Sequence, residues 1–308
     1  IYRAYEQRNL GLDNALYGLK LNYDLNDQWH VKAFSGRQKR QFETYESLIK
    51  GIGIEGFIQT HDTSTWSLAP GFAMVNRTLD DAGMTNVLAT VASYQKEDQF
   101  LPKYNDYAFT FYNQTNFKNF SWYVETAWRN KNIINNPMGS RKTSTGESII
   151  GPVFKNNSGS VIYSSLNFVR SNWSLSVEGK RTDFFSIRTR PQEEFNNGLI
   201  HFVPAMSRLN SYRLLSFYQP ATQEIGELAF QAELQWSPKD GLNLLAHHSN
   251  INDLNGQKLY REFLLESTLI KHQEYSFILG VQIQEYNQEV YQGKPNAPIV
   301  NTFTPYVD

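Results

Sequence analysis

The residue pattern of this chain predicts an all-β protein, specifically an antiparallel up-and-down transmembrane β-barrel with roughly 14 to 16 strands in the sequence given. Three observations predict it. Apolar and polar residues alternate strictly in one hairpin after another, short turns alternate with long polar connections, and tryptophans stand beside the short turns on the apolar side.

The hairpin from Leu228 to His248 is the clearest. Leu228, Phe230, Ala232, Leu234 and Trp236 alternate with Ala229, Gln231, Glu233 and Gln235. Successive strand side chains point to opposite faces, so one face is apolar and the other wet. Ser-Pro-Lys-Asp-Gly reverses the chain, and Leu242, Leu244 and Ala246 resume the alternation.

Earlier in the chain, Ala15, Tyr17, Leu19, Leu21 and Tyr23 oppose Lys20, Asn22 and Asp24, and Trp29, Val31 and Ala33 oppose His30 and Lys32. Residues 1–12 fit either a charged strand or a loop. Residues 37–48, dense in charge, read as an arm end plus an exposed loop. Ile52, Ile54 and Ile58 continue the pattern, which restarts after His-Asp-Thr-Ser-Thr at Trp66, Leu68, Phe72 and Met74; Pro70 lies in that arm and predicts a bulge or a frayed ladder there. Residues 76–86 read as a long connection, and 87–94 and 104–113 as strands, with Phe120, Trp122 and Val124 opening the next arm. The tract at 130–159, rich in Asn, Gly, Ser and Thr, reads as a long loop in which 147–154 contribute strand, and 182–209 as a second long loop. Further strands are expected at 162–168, 173–180, 212–218, 260–270 and 275–286 and from Ile299 onward, with no helical period anywhere. Residues 1–308 thus form one barrel domain, with short periplasmic turns and long extracellular loops at about 130–159 and 182–209.

Composition agrees. Aromatic residues make up 14% of the chain, with 18 Tyr, 20 Phe and 6 Trp, while the mean hydropathy is negative. A barrel wall needs only every second residue apolar, so it can be polar on average and still span lipid, and no run of about 20 apolar residues is present to make a spanning helix. The 29 basic and 30 acidic residues leave a net charge of -1, so no whole-chain field recruits nucleic acid. Cysteine is absent, which removes disulfides, thiolate zinc sites and cysteine nucleophiles. The chain opens at Ile1 without a signal peptide and stops at Thr-Phe-Thr-Pro-Tyr-Val-Asp as a strand begins; the expectation is a processed chain lacking further strands.

Trp29, Trp66, Trp122, Trp173 and Trp236 all lie within a few residues of a short turn, and Tyr275 repeats the placement after Lys-His-Gln-Glu. Rings with one polar edge favour the headgroup boundary, so these six residues read as a membrane-interface girdle. A soluble sandwich or soluble barrel that binds a ligand is the competing reading, since Trp and Tyr are good strand residues in any sheet. It does not account for their clustering at one end of each hairpin.

Residues 3–21 (RAYEQRNLGLDNALYGLKL), 51–56 (GIGIEG) and the terminal TFTPYVD resemble a family of functionally uncharacterised outer-membrane β-barrel proteins from Bacteroidota. The likeness covers most of the chain through loose strand patterns. It implies fold and an outer-membrane location in a Gram-negative bacterium, and brings no site residues.

Candidate functional residues are those of the wet face. Lys20, His30, Lys32, Glu55, Glu125, Arg129, Glu178, Lys180, Glu233, Glu262 and Glu266 are expected to line a lumen wide enough for water, where they tune solute passage or form a solvated, salt-bridged wall. No cofactor or metal is expected. The six His are scattered without ligand spacing, and adjacent His247 and His248 point to opposite faces. The segment Asn250–Gly256 puts Ile251 at the first calcium-ligand position, which breaks the EF-hand pattern. The sequons at Asn76, Asn113, Asn119, Asn156 and Asn172 fit ordinary Asn and Ser usage. Barrel hydrolases place Ser, His and Asp at a rim, but no motif here marks such a triad. The sequence reading is therefore non-catalytic: a porin-like channel or a membrane-fixed structural subunit. Its partners are outer-membrane lipid or lipopolysaccharide and other outer-membrane or periplasmic proteins.

Overall fold

The computed structural model describes residues 15–40, 42–59, 66–194, 197–210, 212, 215–271 and 275–308. Fourteen strands form one antiparallel sheet: β1 (Leu16–Asp24), β2 (Trp29–Arg40), β3 (Glu43–Gly56), β4 (Ile58–Gln59), β5 (Trp66–Thr78), β6 (Asn105–Phe117), β7 (Phe120–Lys142), β8 (Ser148–Arg170), β9 (Trp173–Asp183), β10 (Gly226–Lys239), β11 (Leu242–Asn252), β12 (Lys258–Lys271), β13 (Tyr275–Asn287) and β14 (Ile299–Val307). Two helices, α1 (Asp81–Ala92) and α2 (Gln288–Gln292), sit in connections. Each strand pairs with its sequence neighbour, except that β3 and the two-residue β4 share β5. Among the described residues β1 and β14 do not pair with each other, so the sheet is not closed.

The turns at one end of the meander are tight. Lys118 and Ser171 hold φ of 50° and 45° in two-residue reversals between β6 and β7 and between β8 and β9, the backbone twist such hairpins require. The long connections lie at the other end, among them 79–104 with α1 and 184–225 between β9 and β10.

Strand register divides the side chains into two faces. One unbroken row of directly opposed residues crosses the sheet: Asp24, His30, Glu55, Gly71, Tyr112, Glu125, Tyr163, Lys180, Ala229, Ile251, Tyr260, Tyr286 and Val300. Opposed residues share a face, so every strand but β4 contributes to the same side. The other side is apolar and open. Leu19 is 83% exposed, Phe111 48%, Phe277 58% and Phe303 69%.

The 184–225 connection reveals the curvature. Its Phe184–Phe185 backbone lies on Gly159 of β8, and Thr189 donates to Gln38 of β2. From β8 to β2 is five inter-strand steps, about 24 Å in a flat sheet, but the four residues from Phe185 to Thr189 extend only about 14 Å. Side chains stand off a sheet and not along it, so they do not bridge the shortfall. The same holds farther on, where the Leu199 carbonyl accepts from Gln38 of β2 and the Pro204 carbonyl from Lys180 of β9. The sheet is rolled around this segment, with the polar row on its concave side.

Two cores form between segment and wall. Phe185 and Ile187 pack on Ala108, Ala127 and Val161, and Met206 packs among Tyr163, Ala229, Ile251, Tyr260 and Tyr286. A third core lies outside the row, where Met84, Val87 and Val91 of α1 meet Ile133 and Phe154 on extensions of β7 and β8. The concave face also uses glycine for close approach: a Cβ on Gly71 would run into the Tyr112 ring, and one on Gly280 into the Tyr306 ring.

Several sequence expectations change. The tract 130–159 is not an irregular loop but the upper part of two 23-residue strands, β7 and β8, joined at 143–147; its Asn-rich sequence pairs across the hairpin through two register shifts. Residues 87–94 are not a strand, because Asp80 caps a helix and Met84, Val87 and Val91 fall on one helical face. The described residues of 212–218 form a turn within the 184–225 segment, with Leu215 fully covered. Residues 37–48 belong mostly to β2 and β3. Pro70 sits where the ladder toward β3 stops at Gly71 and resumes at Leu68 with β4, so nothing on that side is asked of its missing N–H. The readings for residues 1–12, 61–65 and 272–274 lie outside the described residues.

Candidate functional site on the concave face

All eleven charged residues named from the sequence stand on the concave face. His30, Glu55, Glu125 and Lys180 lie in the row itself, and the others keep its parity on their strands. Most of them have partners. Lys32 pairs with Glu55, which also accepts from the Tyr112 hydroxyl at 3.1 Å; His30 meets Asp24 at 2.6 Å; Lys20 is exposed. Glu125 accepts from Thr110 and Tyr123, both at 2.7 Å, and Glu178 from Tyr163 at 2.8 Å. Glu266 accepts from Tyr306 at 2.7 Å. A carboxylate with a phenolic donor beside it is held in one orientation, so this is an ordered wall and not a loose brush of charge.

Near the long-connection end the wall dries out. Asp106 Oδ2 takes Arg77 at 3.1 Å and Arg129 at 2.9 Å, all three side chains at most 2% exposed. Lys180 meets Glu227 at 2.7 Å and donates to the Pro204 carbonyl and to Thr222 Oγ1 at 2.8 Å. Charges buried this deeply persist only where partners and hydrogen bonds offset desolvation, and here those partners come partly from the 184–225 segment. Ser249 donates to the Met206 carbonyl and Gln282 to that of Leu215 at 3.2 Å.

Beside these anchors, His247 lies between Glu233, 3.8 Å from Nδ1, and Glu262, 3.5 Å from Nε2; Gln282 donates to the other Glu262 oxygen at 2.6 Å. This is the densest grouping of acid and imidazole on the face. Ser249, two residues along β11, gives its hydroxyl proton to the Met206 carbonyl and not to His247, so the three types of a hydrolase triad are present without the required relay. His248 points the other way, as parity demands, with Nδ1 2.9 Å from the Glu262 carbonyl. Among the described residues no group of three or more His, Asp or Glu has metal-binding geometry.

A second polar grouping holds the start of the segment. Asp80 accepts Arg190 Nε at 3.1 Å and a guanidinium terminal nitrogen at 2.9 Å, while also taking Ser47 Oγ and the Gly83 N–H that caps α1. Burial pushes this carboxyl up, but the hydrogen bonds from Arg190, Ser47 and Gly83 outweigh it and hold it at about 2. Inside the segment, burial lowers His201 to about 4 against the pull of Glu224, and its Nδ1 receives the Ile187 N–H at 3.1 Å.

Sequence reasoning missed Asp106, Glu227, Tyr112, Tyr163 and Tyr306, although parity alone places each on the same face as its neighbours. Arg190 carried no such signal, since only the fold brings it to Asp80.

Trp29, Trp66, Trp122, Trp173, Trp236 and Tyr275 stand on the convex face, at the short-turn end of their strands, and Trp173 and Trp236 are directly opposed on β9 and β10. Among the described residues no helix is long and apolar enough to cross a membrane, which leaves strands unaddressed.

Residues 1–308 match the sequence profile of DUF6029, a family of unknown function. No curated protein matches. Solved structures of the Pseudomonas putida toluene transporter TodX superpose with 11% identity and a TM-score of 0.28, covering 86% of this chain and 76% of that one. A TodX monoaromatic hydrocarbon channel deltaS2 mutant gives 10% and 0.28 over 86% and 76%. At that TM-score the likeness carries no inference about this chain.

Proposed function

The chain belongs to the DUF6029 family, and we propose that it is an integral outer-membrane β-barrel, non-catalytic, whose interior is shut to free diffusion at rest by the 184–225 segment. The observation that carries the reading is the division of faces. Apolar side chains stand exposed on the convex side of strand after strand, from Leu19 and Leu21 to Phe303 and Val307, a surface far larger than the few hundred Å² a soluble monomer leaves open. Lipid or lipopolysaccharide is the partner that fits this face, and the six aromatic residues at the short-turn end are placed to meet headgroups there. The concave side supplies the water-facing wall, with the eleven charged residues as lumen lining.

Occlusion follows from the segment's fit. Met206 and Phe185 are fully buried, and its backbone carbonyls are bound by Gln38, Lys180, Ser249 and Gln282 from four strands. Outer-membrane fractionation and planar-bilayer recording on the purified chain test both parts. Detergent-dependent solubility with long closed periods is expected. Recovery as a freely soluble protein would end the membrane reading, and a steady large conductance would end the closed one.

A second reading is a membrane-fixed structural subunit of an outer-membrane complex. What favours it is the β7–β8 hairpin, whose 23-residue strands run past their neighbours and carry α1 packed against them. Proteins that leave the native membrane with this chain, and detach when 135–152 are trimmed, would support it.

A further inference from the structure

We propose that Arg37, Lys39 and Lys50, on the convex side of β2 and β3, form a binding site for the phosphate groups of outer-leaflet lipopolysaccharide. The proposal rests on the membrane reading above and gives it a specific lipid site. Parity places the three cations. Arg37 and Lys39 continue the side of β2 that carries Trp29, Val31 and Ala33, and Lys50 stands directly opposite Ser35 of that side. The register shifts beyond Arg37, yet Lys39 opposes Thr44, which shares the parity of Lys50 on β3. All three cations are exposed, whereas Gln38 between the first two is buried against the 184–225 segment.

Their height on the wall fits headgroups. Trp29 marks the boundary at the short-turn end of β2, and Arg37 and Lys39 lie eight and ten residues farther along the strand. At about 3.3 Å per residue and a tilt of about 40°, that is roughly 20 and 25 Å above Trp29. An apolar barrel belt is about 25 Å tall, so these cations emerge at its other rim. Two exposed tyrosines mark the same rim: Tyr17 of β1 opposes Arg37, and Tyr107 of β6 opposes Asn76, which opposes Lys50. Lys and Arg stems lie along apolar surface while their charged heads reach outward.

No carboxylate answers these charges. Among the described residues none of the three forms an ion pair, and Glu46 is the one acid that shares their side of β3, so three cations stand against one carboxylate. Elsewhere on the convex face near this rim, acids match the bases: Arg181 meets Asp183 at 3.2 Å, Lys258 meets Glu285 at 2.6 Å, and Arg261 stands opposite Glu285. Arg37 and Lys50 are diagonal neighbours across the ladder, about 7–8 Å apart, and Lys39 is about 7 Å from Arg37 along the strand. Side chains of this length converge on one phosphate, the guanidinium through paired N–H donors. Zwitterionic headgroups bring their own cation, whereas lipopolysaccharide presents phosphates without one, on the side of the membrane where the long connections stand.

The test is native mass spectrometry of the full chain in detergent with EDTA, titrated with diphosphoryl lipid A, dephosphorylated lipid A or inorganic phosphate. Heat-modifiable electrophoretic mobility checks that each variant is folded. Diphosphoryl lipid A is expected to bind, the dephosphorylated form at least about tenfold more weakly, and inorganic phosphate not detectably, since it lacks the acyl chains that the belt holds. Arg37→Gln, Lys39→Gln and Lys50→Gln are each expected to weaken lipid A binding about fivefold, and together about a hundredfold. Lys118→Gln with Lys239→Gln, at the short-turn rim, should leave it unchanged. If the triple variant does not fold, the three single variants decide. Unaltered binding by the variants, or equal binding of dephosphorylated lipid A, would overturn the site and leave the barrel reading standing. Tight binding of inorganic phosphate would make it a small-anion site and not a lipid one. A chain that stays soluble without detergent would end the barrel reading and the site with it.

Discussion

The two halves of the 184–225 segment are held to the same wall by opposite chemistries. Thr189, Arg190 and Glu193 reach β2, β3 and the residue that caps α1 through Gln38, Arg40, Tyr45 and Asp80, by hydrogen bonds, ion pairs and a cation over a ring. Pro204, Met206 and Leu215 lie on β9 to β13, with Met206 and Leu215 covered and Lys180 locked to Glu227 beneath them. The difference teaches that one irregular segment can be seated in two ways, with apolar side chains covered at one end and buried hydrogen bonds and ion pairs at the other.

The sharpest way to break this contrast is at Lys180. Lys180→Met leaves Glu227 buried without its cation and is expected to cost about 3–5 kcal/mol in urea unfolding from detergent, much of it recovered when Glu227→Leu is added; an equal loss in the double variant would mean the pair does not anchor the segment. Met206→Ala should cost about 2–4 kcal/mol by the same measurement, because the cavity opens among Tyr163, Tyr260 and Tyr286. Gly71→Ala drives a methyl into the Tyr112 ring and is expected to cost about 1–3 kcal/mol. At the other end of the segment, Arg40→Ala should cost under about 1 kcal/mol, since Arg40 is half exposed and 3.9 Å from Glu193.

Acid sharpens the same comparison. His201 is neutral in the fold, with its pKa lowered to about 4 from 6.5, so the unfolded chain binds more protons between those values. Stability around His201 is therefore fully present above about pH 6.5 and declines as pH falls toward 4. The Asp80–Arg190 pair behaves differently: Asp80, held at about 2 against an ordinary 3.8, keeps its contribution until pH drops below about 4. The protection factor of the Ile187 amide, taken against its intrinsic exchange rate at each pH, should fall between pH 6.5 and 4, and His201→Gln should flatten that response; an unchanged profile in the variant would assign the acid sensitivity elsewhere.

Much of the wall was legible because a strand writes its environment into every second residue. Leu228 to Trp236 needed no partner to show which side was apolar, and the register later carried that parity across the whole sheet from Asp24 to Val300. Helix α1 was obscured because its apolar residues at Val87, Ala89 and Val91 also fit a period of two, and only Asp80 at its start marked a cap. The β7–β8 extension was obscured by Asn and Gly, residues that favour loops locally but here pair across a long hairpin.

What the sequence determined alone is the two-faced strand and the end at which its tryptophans gather, since both depend on neighbours one or two positions away. The roll of the sheet, the meeting of Arg190 with Asp80 across 110 positions of chain, and the seating of Met206 beneath five strands' worth of side chains belong to the tertiary structure. Such contacts are set by where an irregular segment is carried in space, and irregular backbone has no period from which that path could be read.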